Sequence, residues 1–193
     1  MTRFGPELPS TAFMPERHPK APRPGEKIPS HFGYCFGCGD LHSSGLHFVS
    51  YAGEGMDLTG QFTVTDQHQG APGLAHGGIL ALAFDEALGK LMWLLRAPAV
   101  TARLETDFMK PVPMGSTLYI KAEIVGQDGR KVYSRAEGRL DSLDGPVALQ
   151  ASSLYIIVTM DHFIKNAPEG YFEHLQRHKD LVTFVDPDFG INP

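Results

Sequence analysis

A single long helical segment, Gly77 to Arg96, has to find cover in a chain that otherwise reads as strands. Its centre, Ile79 to Phe84, is an unbroken run of six apolar residues, and Asp85, Glu86 and Lys90 are the first charges to follow. A helix this apolar does not lie on a surface with one stripe turned inward; it is buried on most sides. The material available to bury it alternates with period two, the mark of half-buried strands. Met56, Leu58, Gly60, Phe62 and Val64 precede the helix, and Val100, Ala102, Leu104, Thr106 and Phe108 follow it. Leu118 to Ile124, Val132 to Leu140 and Val147 to Val158 continue the pattern, joined by the turn pairs Asp128-Gly129 and Asp144-Gly145. Four consecutive antiparallel strands after one helix predict an α+β domain, a curved antiparallel sheet wrapped around a central helix.

The flanks read differently. Seven of the fifteen prolines fall in residues 1–30, which predicts an extended arm with neither helix nor strand ladder. The domain is expected over 31–160, followed by a polar C-terminal extension, 161–193, anchored by Phe163, Tyr171, Phe172 and Phe184. A helix is expected there around Glu173 to Asp180. Lys plus Arg number 17 against 22 Asp plus Glu, a net charge of −5, so the chain lacks the basic face that nucleic-acid binding needs. No apolar run approaches the ~20 residues of a membrane span. The first thirty residues also lack the apolar core of a secretory signal, and a cytoplasmic chain is expected. Cys35 and Cys38 have only His31 and His42 nearby to complete a four-ligand zinc site. They read as two reduced thiols in a tight turn, and neither metal nor cofactor is expected.

The charges on the helix divide into two groups. Glu86 and Lys90, four residues apart, have the spacing of a favourable exposed pair. Asp85 points elsewhere, among Gly78, Ala81, Gly89 and Met92, an apolar face of small side chains. A carboxylate there is either paired with a protein group, such as a backbone amide or Arg103, or left facing a ligand in the space the small residues leave. Gly77 and Gly78 open the helix with amides that lack intrahelical acceptors, at the positive end of its dipole. Such amides stabilise an oxygen that develops negative charge. His76 precedes them, and with no GxSxG elbow in the chain a serine nucleophile is not indicated.

The segment His68-Gln69-Gly70-Ala71-Pro72-Gly73-Leu74-Ala75-His76-Gly77-Gly78, with Asp85 nine residues after His76, resembles the hot-dog-fold acyl-CoA thioesterases. It is most similar to the branch of PaaI-type enzymes and mitochondrial-type thioesterase superfamily members. Cys35-Phe36-Gly37-Cys38-Gly39 with Gly45-Leu46, Lys110-Pro111-Val112-Pro113-Met114-Gly115 and Gly129-Arg130-Lys131 resemble further segments of that family, so the likeness spans roughly 35–160.

The resemblance implies a hot-dog fold and hydrolysis of an acyl-CoA to a free acid and CoA, a reaction of lipid metabolism. It implies a homodimer or tetramer with the active site at the subunit interface. Asp85 becomes nucleophile or general base, and the Gly77 and Gly78 amides become the oxyanion hole. Thr101 positions water, and His76 is the motif histidine. Gln69, one residue before Gly70 where members carry an Asn, becomes a carbonyl or water ligand. Lys110, Arg130, Lys131 and Arg135, at strand ends and turns, are candidates for the CoA phosphates. Two other functions fit the same fold: acyl-CoA binding or sensing without turnover, and an enoyl-CoA hydratase or dehydratase.

Overall fold

The computed structural model describes residues 5–177. A seven-stranded antiparallel sheet, in the order β1-β2-β3-β5-β6-β7-β4, surrounds one principal helix. The strands are β1 (Lys27–Ile28), β2 (Val49–Ala52), β3 (Asp57–Thr63), β4 (Ala99–Phe108), β5 (Thr117–Asp128), β6 (Lys131–Leu140) and β7 (Val147–Ile157). Helix α1 (Gly77–Lys90) is continued, after a tightened turn at Leu91, by the short α2 (Met92–Leu95). Arg96 closes it in the left-handed conformation at φ 50°. This is the hot-dog architecture that the sequence implies.

The inward face follows the period-two pattern. Leu118, Ile120, Ala122 and Ile124 of β5 are buried, as are Val132, Ser134, Ala136 and Gly138 of β6. Gly138 admits the helix: a Cβ there would lie 2.9 Å from the Phe84 ring. The two inward serines, Ser134 and Ser153, satisfy each other at 2.9 Å. From the helix, Ala83, Phe84, Ala87 and Leu88 are wholly buried, so the wrapping is complete on that side.

Three features depart from the expectations. The proline-rich arm is not free of ladder: Lys27 and Ile28 pair with Tyr51 and Ser50, in the gap between Pro24 and Pro29 where both backbone groups are available. The arm wraps the domain, with Phe13 and Gln127 exchanging both backbone hydrogen bonds and Arg17 reaching the Gly53 carbonyl at 2.7 Å. Second, β4 is an edge strand exposed over most of its length, and Phe108 is 55% exposed. Third, the extension begins with two helices, α3 (Met160–Asn166) and α4 (Tyr171–Arg177). The expected helix end at Asp180 and the anchor Phe184 lie outside the described residues.

Phe84→Ala removes the ring that Gly138 makes room for, and is expected to lower the unfolding free energy by about 3–5 kcal/mol. A urea titration reads this as a lower midpoint with an unchanged slope.

Candidate active site

Asp85 is held by two hydroxyls. Thr101 Oγ1 donates to its Oδ1 at 2.8 Å, and the Tyr155 hydroxyl lies 2.9 Å from the same oxygen and 2.8 Å from the Asp85 backbone carbonyl. The strands deliver both groups together, because Thr101 of β4 and Tyr155 of β7 are cross-strand partners. The register shifts immediately after Thr101, a bulge that re-aims the edge strand beside the carboxylate. Gly89 packs against the Tyr155 hydroxyl, which lies 3.4 Å from where a Cβ would stand. Burial, and after it the Asp85 charge, push the Tyr155 phenol well above its ordinary range, so it stays a proton donor.

Among the described residues Oδ2 of Asp85 accepts no hydrogen bond. Asp85, Thr101 and Tyr155 line a cavity of about 450 Å³ with Gly89, Met92 and Trp93. Arg103 does not neutralise the carboxylate; it pairs with Glu105 on the exposed side of β4. The arrangement therefore has one oxygen fixed and one open to a ligand. Phe163, Tyr171, Phe172 and Leu175 of the C-terminal helices close the cavity with apolar surface.

The helix start is organised by His76. Its Nδ1 accepts from the Gly78 amide at 2.9 Å, capping α1. The Gly78 amide is thus engaged, whereas the Gly77 amide has no acceptor among the described residues. The Phe108 ring lies beside Gly77, 3.5 Å from where a Cβ would be.

The other expected ligands scatter. Gln69 is exposed, in an isolated bridge with Ala75. Lys110 is exposed just past the Phe108 end of β4, while Arg130 and Lys131 sit in the β5–β6 hairpin beside Ile157, at the opposite end. Across the ten residues of β4 those ends lie about 30 Å apart. Arg135 is paired with Glu123 at 2.7 Å.

The reading of Glu86 and Lys90 as an exposed pair is corrected. Lys90 is buried at 3% exposure, its Nζ is 3.7 Å from Glu86 Oε1, and it donates to the Pro29 carbonyl. Burial pushes the Glu86 carboxyl up to about 7. The cover comes from the loop carrying His31, Cys35 and Cys38. Cys35 Sγ lies 3.5 Å from Glu86 Oε2, and Cys38 Sγ lies 3.5 Å from His31 Nδ1. The hydrogen bond between the two thiols pulls Cys38 toward the thiolate and pushes Cys35 up. The cysteines are two free thiols in a turn, as expected; they cluster with His31 and Glu86, and His42 is not part of that cluster.

Sequence reasoning missed Tyr155 and the C-terminal aromatics. A tyrosine at an inward position of a strand pattern is a usable signal, since its hydroxyl demands a buried partner.

Residues 72–144 match the family model of the thioesterase superfamily. The acyl-coenzyme A thioesterase THEM4 of Xenopus laevis is 31% identical over 88 residues, 46% of this chain and 39% of the relative, so the match spans about two fifths of that protein's length. Among solved structures, RHA08564, a thioesterase superfamily protein, is 29% identical with a TM-score of 0.52, covering 56% of this chain and 53% of its own. The E. coli PaaI protein from the phenylacetic acid degradation operon is 19% identical with a TM-score of 0.55, covering 62% and 85% respectively, a likeness of fold. No helix of the described residues is long and apolar enough to cross a membrane.

Tyr155→Phe keeps the ring and deletes one buried hydroxyl that serves two Asp85 oxygens. It is expected to lower the unfolding free energy by about 1 kcal/mol, measured as a shifted urea midpoint.

Proposed function

We propose that this chain, whose residues 72–144 match the thioesterase superfamily, hydrolyses acyl-CoA thioesters with Asp85 as nucleophile or general base. The observation that carries the reading is the Asp85 carboxylate, clamped through Oδ1 by Thr101 and Tyr155 while Oδ2 stays free at a cavity wall. A clamped carboxylate with a free oxygen holds its geometry while it attacks a carbonyl or deprotonates a water, without being consumed in a salt bridge. Thr101, whose hydroxyl proton goes to Asp85, keeps its lone pairs to accept from that water. The apolar surface of Phe163, Tyr171, Phe172 and Leu175 suits an acyl group.

The oxyanion donor on this reading is the Gly77 amide, with the Gly78 amide occupied by His76. Gly77 and Asp85 are eight residues apart, about 12 Å along the helix axis. A carbonyl within about 3 Å of both an amide and a carboxylate spans at most about 7 Å, so one protomer does not supply both. A second copy does. An isologous antiparallel pairing of the exposed β4 edges sets the Phe108 end of one protomer, with its Gly77, against the Thr101 end of the other, with its Asp85. The same pairing brings Lys110 of one copy toward Arg130 and Lys131 of its partner, and it covers Phe108 and Met109, which are more than half exposed in the single chain.

Release of CoA thiol is to be followed with a thiol reagent over short, medium, long and aryl acyl-CoAs. Asp85→Ala is expected to lower kcat by about 10²–10⁴ with the chain still folded. Retained hydrolysis rejects the assignment; tight binding without thiol release supports a sensor, and loss of enoyl-CoA absorbance a hydratase. Gly77→Pro deletes the amide hydrogen at the one helical position that tolerates proline, after a residue already extended at ψ 133°, and is expected to cost about 10²–10³ in kcat.

The shared site is tested by mixing. Co-expressed Asp85→Ala and Gly77→Pro chains form mixed dimers with one intact site each, so activity is expected to recover to about a quarter of wild type. If each chain builds its own site, the mixture stays inactive.

A further inference from the structure

We propose that His31, Cys35, Cys38 and Glu86 bind one zinc ion in a closed, four-coordinate structural site. The four side chains present one ligand atom each, and these atoms all lie within 4.8 Å of one another. A tetrahedral zinc with bonds of about 2.3 Å to sulfur and about 2.0–2.1 Å to nitrogen or oxygen keeps its ligand atoms roughly 3.3–3.8 Å apart. The two separations on either side of the cluster, Cys38 Sγ to His31 Nδ1 and Cys35 Sγ to Glu86 Oε2, are both 3.5 Å. The donor set needs only a small contraction to close on the ion.

The backbone is shaped for this. The loop turns back on itself through Gly39, whose amide donates to the Cys35 carbonyl at 2.8 Å; a Cβ on Gly39 would stand 2.2 Å from the Gly33 carbonyl oxygen. Gly37 lets Glu86 reach in, because a Cβ there would be 2.1 Å from Glu86 Oε2. Ser30 Oγ, 3.3 Å from Cys38 Sγ, gives an outer-shell partner.

Charge closes as well. Two thiolates and a carboxylate carry −3, a divalent ion brings the set to −1, and the buried Lys90 ammonium beside Glu86 brings it to zero. Without a cation, assembling the same ionised ligands in a buried place is costly. Two sulfurs with one imidazole select zinc over magnesium or calcium, and four protein ligands leave no open position, which makes the role structural. The loop from His31 to Phe48 holds no helix or strand of its own, and the ion would tie it to α1 next to Asp85. His31, Cys35 and Glu86 share the wall of the Asp85 cavity. None of this depends on the reaction proposed above.

The test uses the untagged full chain, purified under reducing conditions. Elemental analysis is expected to find about one zinc per chain. After stripping with chelator, titration with cobalt(II) alone is expected to produce the intense visible bands of tetrahedral coordination together with thiolate-to-metal charge transfer. His31→Ala and Glu86→Gln are each expected to weaken cobalt binding by about tenfold or more, and Cys38→Ser to abolish the charge-transfer pattern of two thiolates. Should Cys38→Ser fail to fold, stripped wild type serves in its place, its melting temperature rising on addition of zinc but not magnesium. A reduced wild-type chain that binds neither zinc nor cobalt overturns the proposal. So does cobalt affinity unchanged in His31→Ala or Glu86→Gln, or a Cys35–Cys38 disulfide in the freshly purified chain.

Discussion

A helix that is apolar on nearly every side obliges the sheet to curl, and the position of every other group follows from that curl. Ala83, Phe84, Ala87 and Leu88 have no exposed surface, so α1 is held against β5, β6 and β7 without freedom to rotate. A rotation by one residue would turn some 100° of apolar surface outward. The angular positions of Asp85 and Glu86 are consequences of this packing rather than of any interaction they make themselves. The wrapping also leaves β4 at the margin of the sheet, so that its inner residues face the helix while its outer edge has no strand partner among the described residues.

Within that frame the carboxylate is positioned by two different strengths of restraint. Tyr155 is buried and comes from β7, which is paired on both sides, by β6 and by β4. Thr101 is exposed and comes from the edge strand, next to a bulge. One hydroxyl is therefore a fixture of the core, and the other sits where a second subunit and a substrate would meet. The division suits a reacting group, which has to be oriented by something rigid and yet remain within reach of water. It also explains the two glycines of this helix face and start. Gly89 packs against the fixture, and Gly77 offers an amide beside the Phe108 ring.

Most of the sheet was legible because its signal is local. Each of Leu118, Ile120, Ala122 and Ile124 lies inward as the alternation requires, and the Asp128-Gly129 turn forms with Gly129 at φ 56°. Asp85 could be singled out for the same reason, as one acid among small residues on a helical wheel. Glu86 and Lys90 were misread because spacing i, i+4 reports that two side chains are neighbours and says nothing of what covers them. Their cover is a loop some fifty residues earlier, without periodicity, and its contact with α1 is not encoded in either segment alone. The same holds for β1, whose two residues between prolines carry no pattern, and for the C-terminal aromatics, which a polar surrounding sequence disguised. Thr101 was reached only through resemblance; its alternation pattern describes a strand, and the hydroxyl's destination depends on where Tyr155 and Asp85 already are.

Asp85 and Glu86 are adjacent in the chain and about 100° apart around α1, which places them on neighbouring walls of one cavity. Asp85 faces hydroxyls that leave one of its oxygens free, whereas Glu86 faces thiols, an imidazole and a lysine that engage both of its oxygens. The contrast separates their tasks without separating their positions. A helix turn cannot shift one of these side chains and spare the other, so whatever fixes the loop of Cys35 and Cys38 against Glu86 also fixes the part of α1 that carries Asp85. The arm reinforces this from the far end, where the His18 amide hydrogen-bonds the Leu94 carbonyl of α2. Order in a segment with almost no regular structure of its own is thereby transmitted to the carboxylate through a single turn of helix.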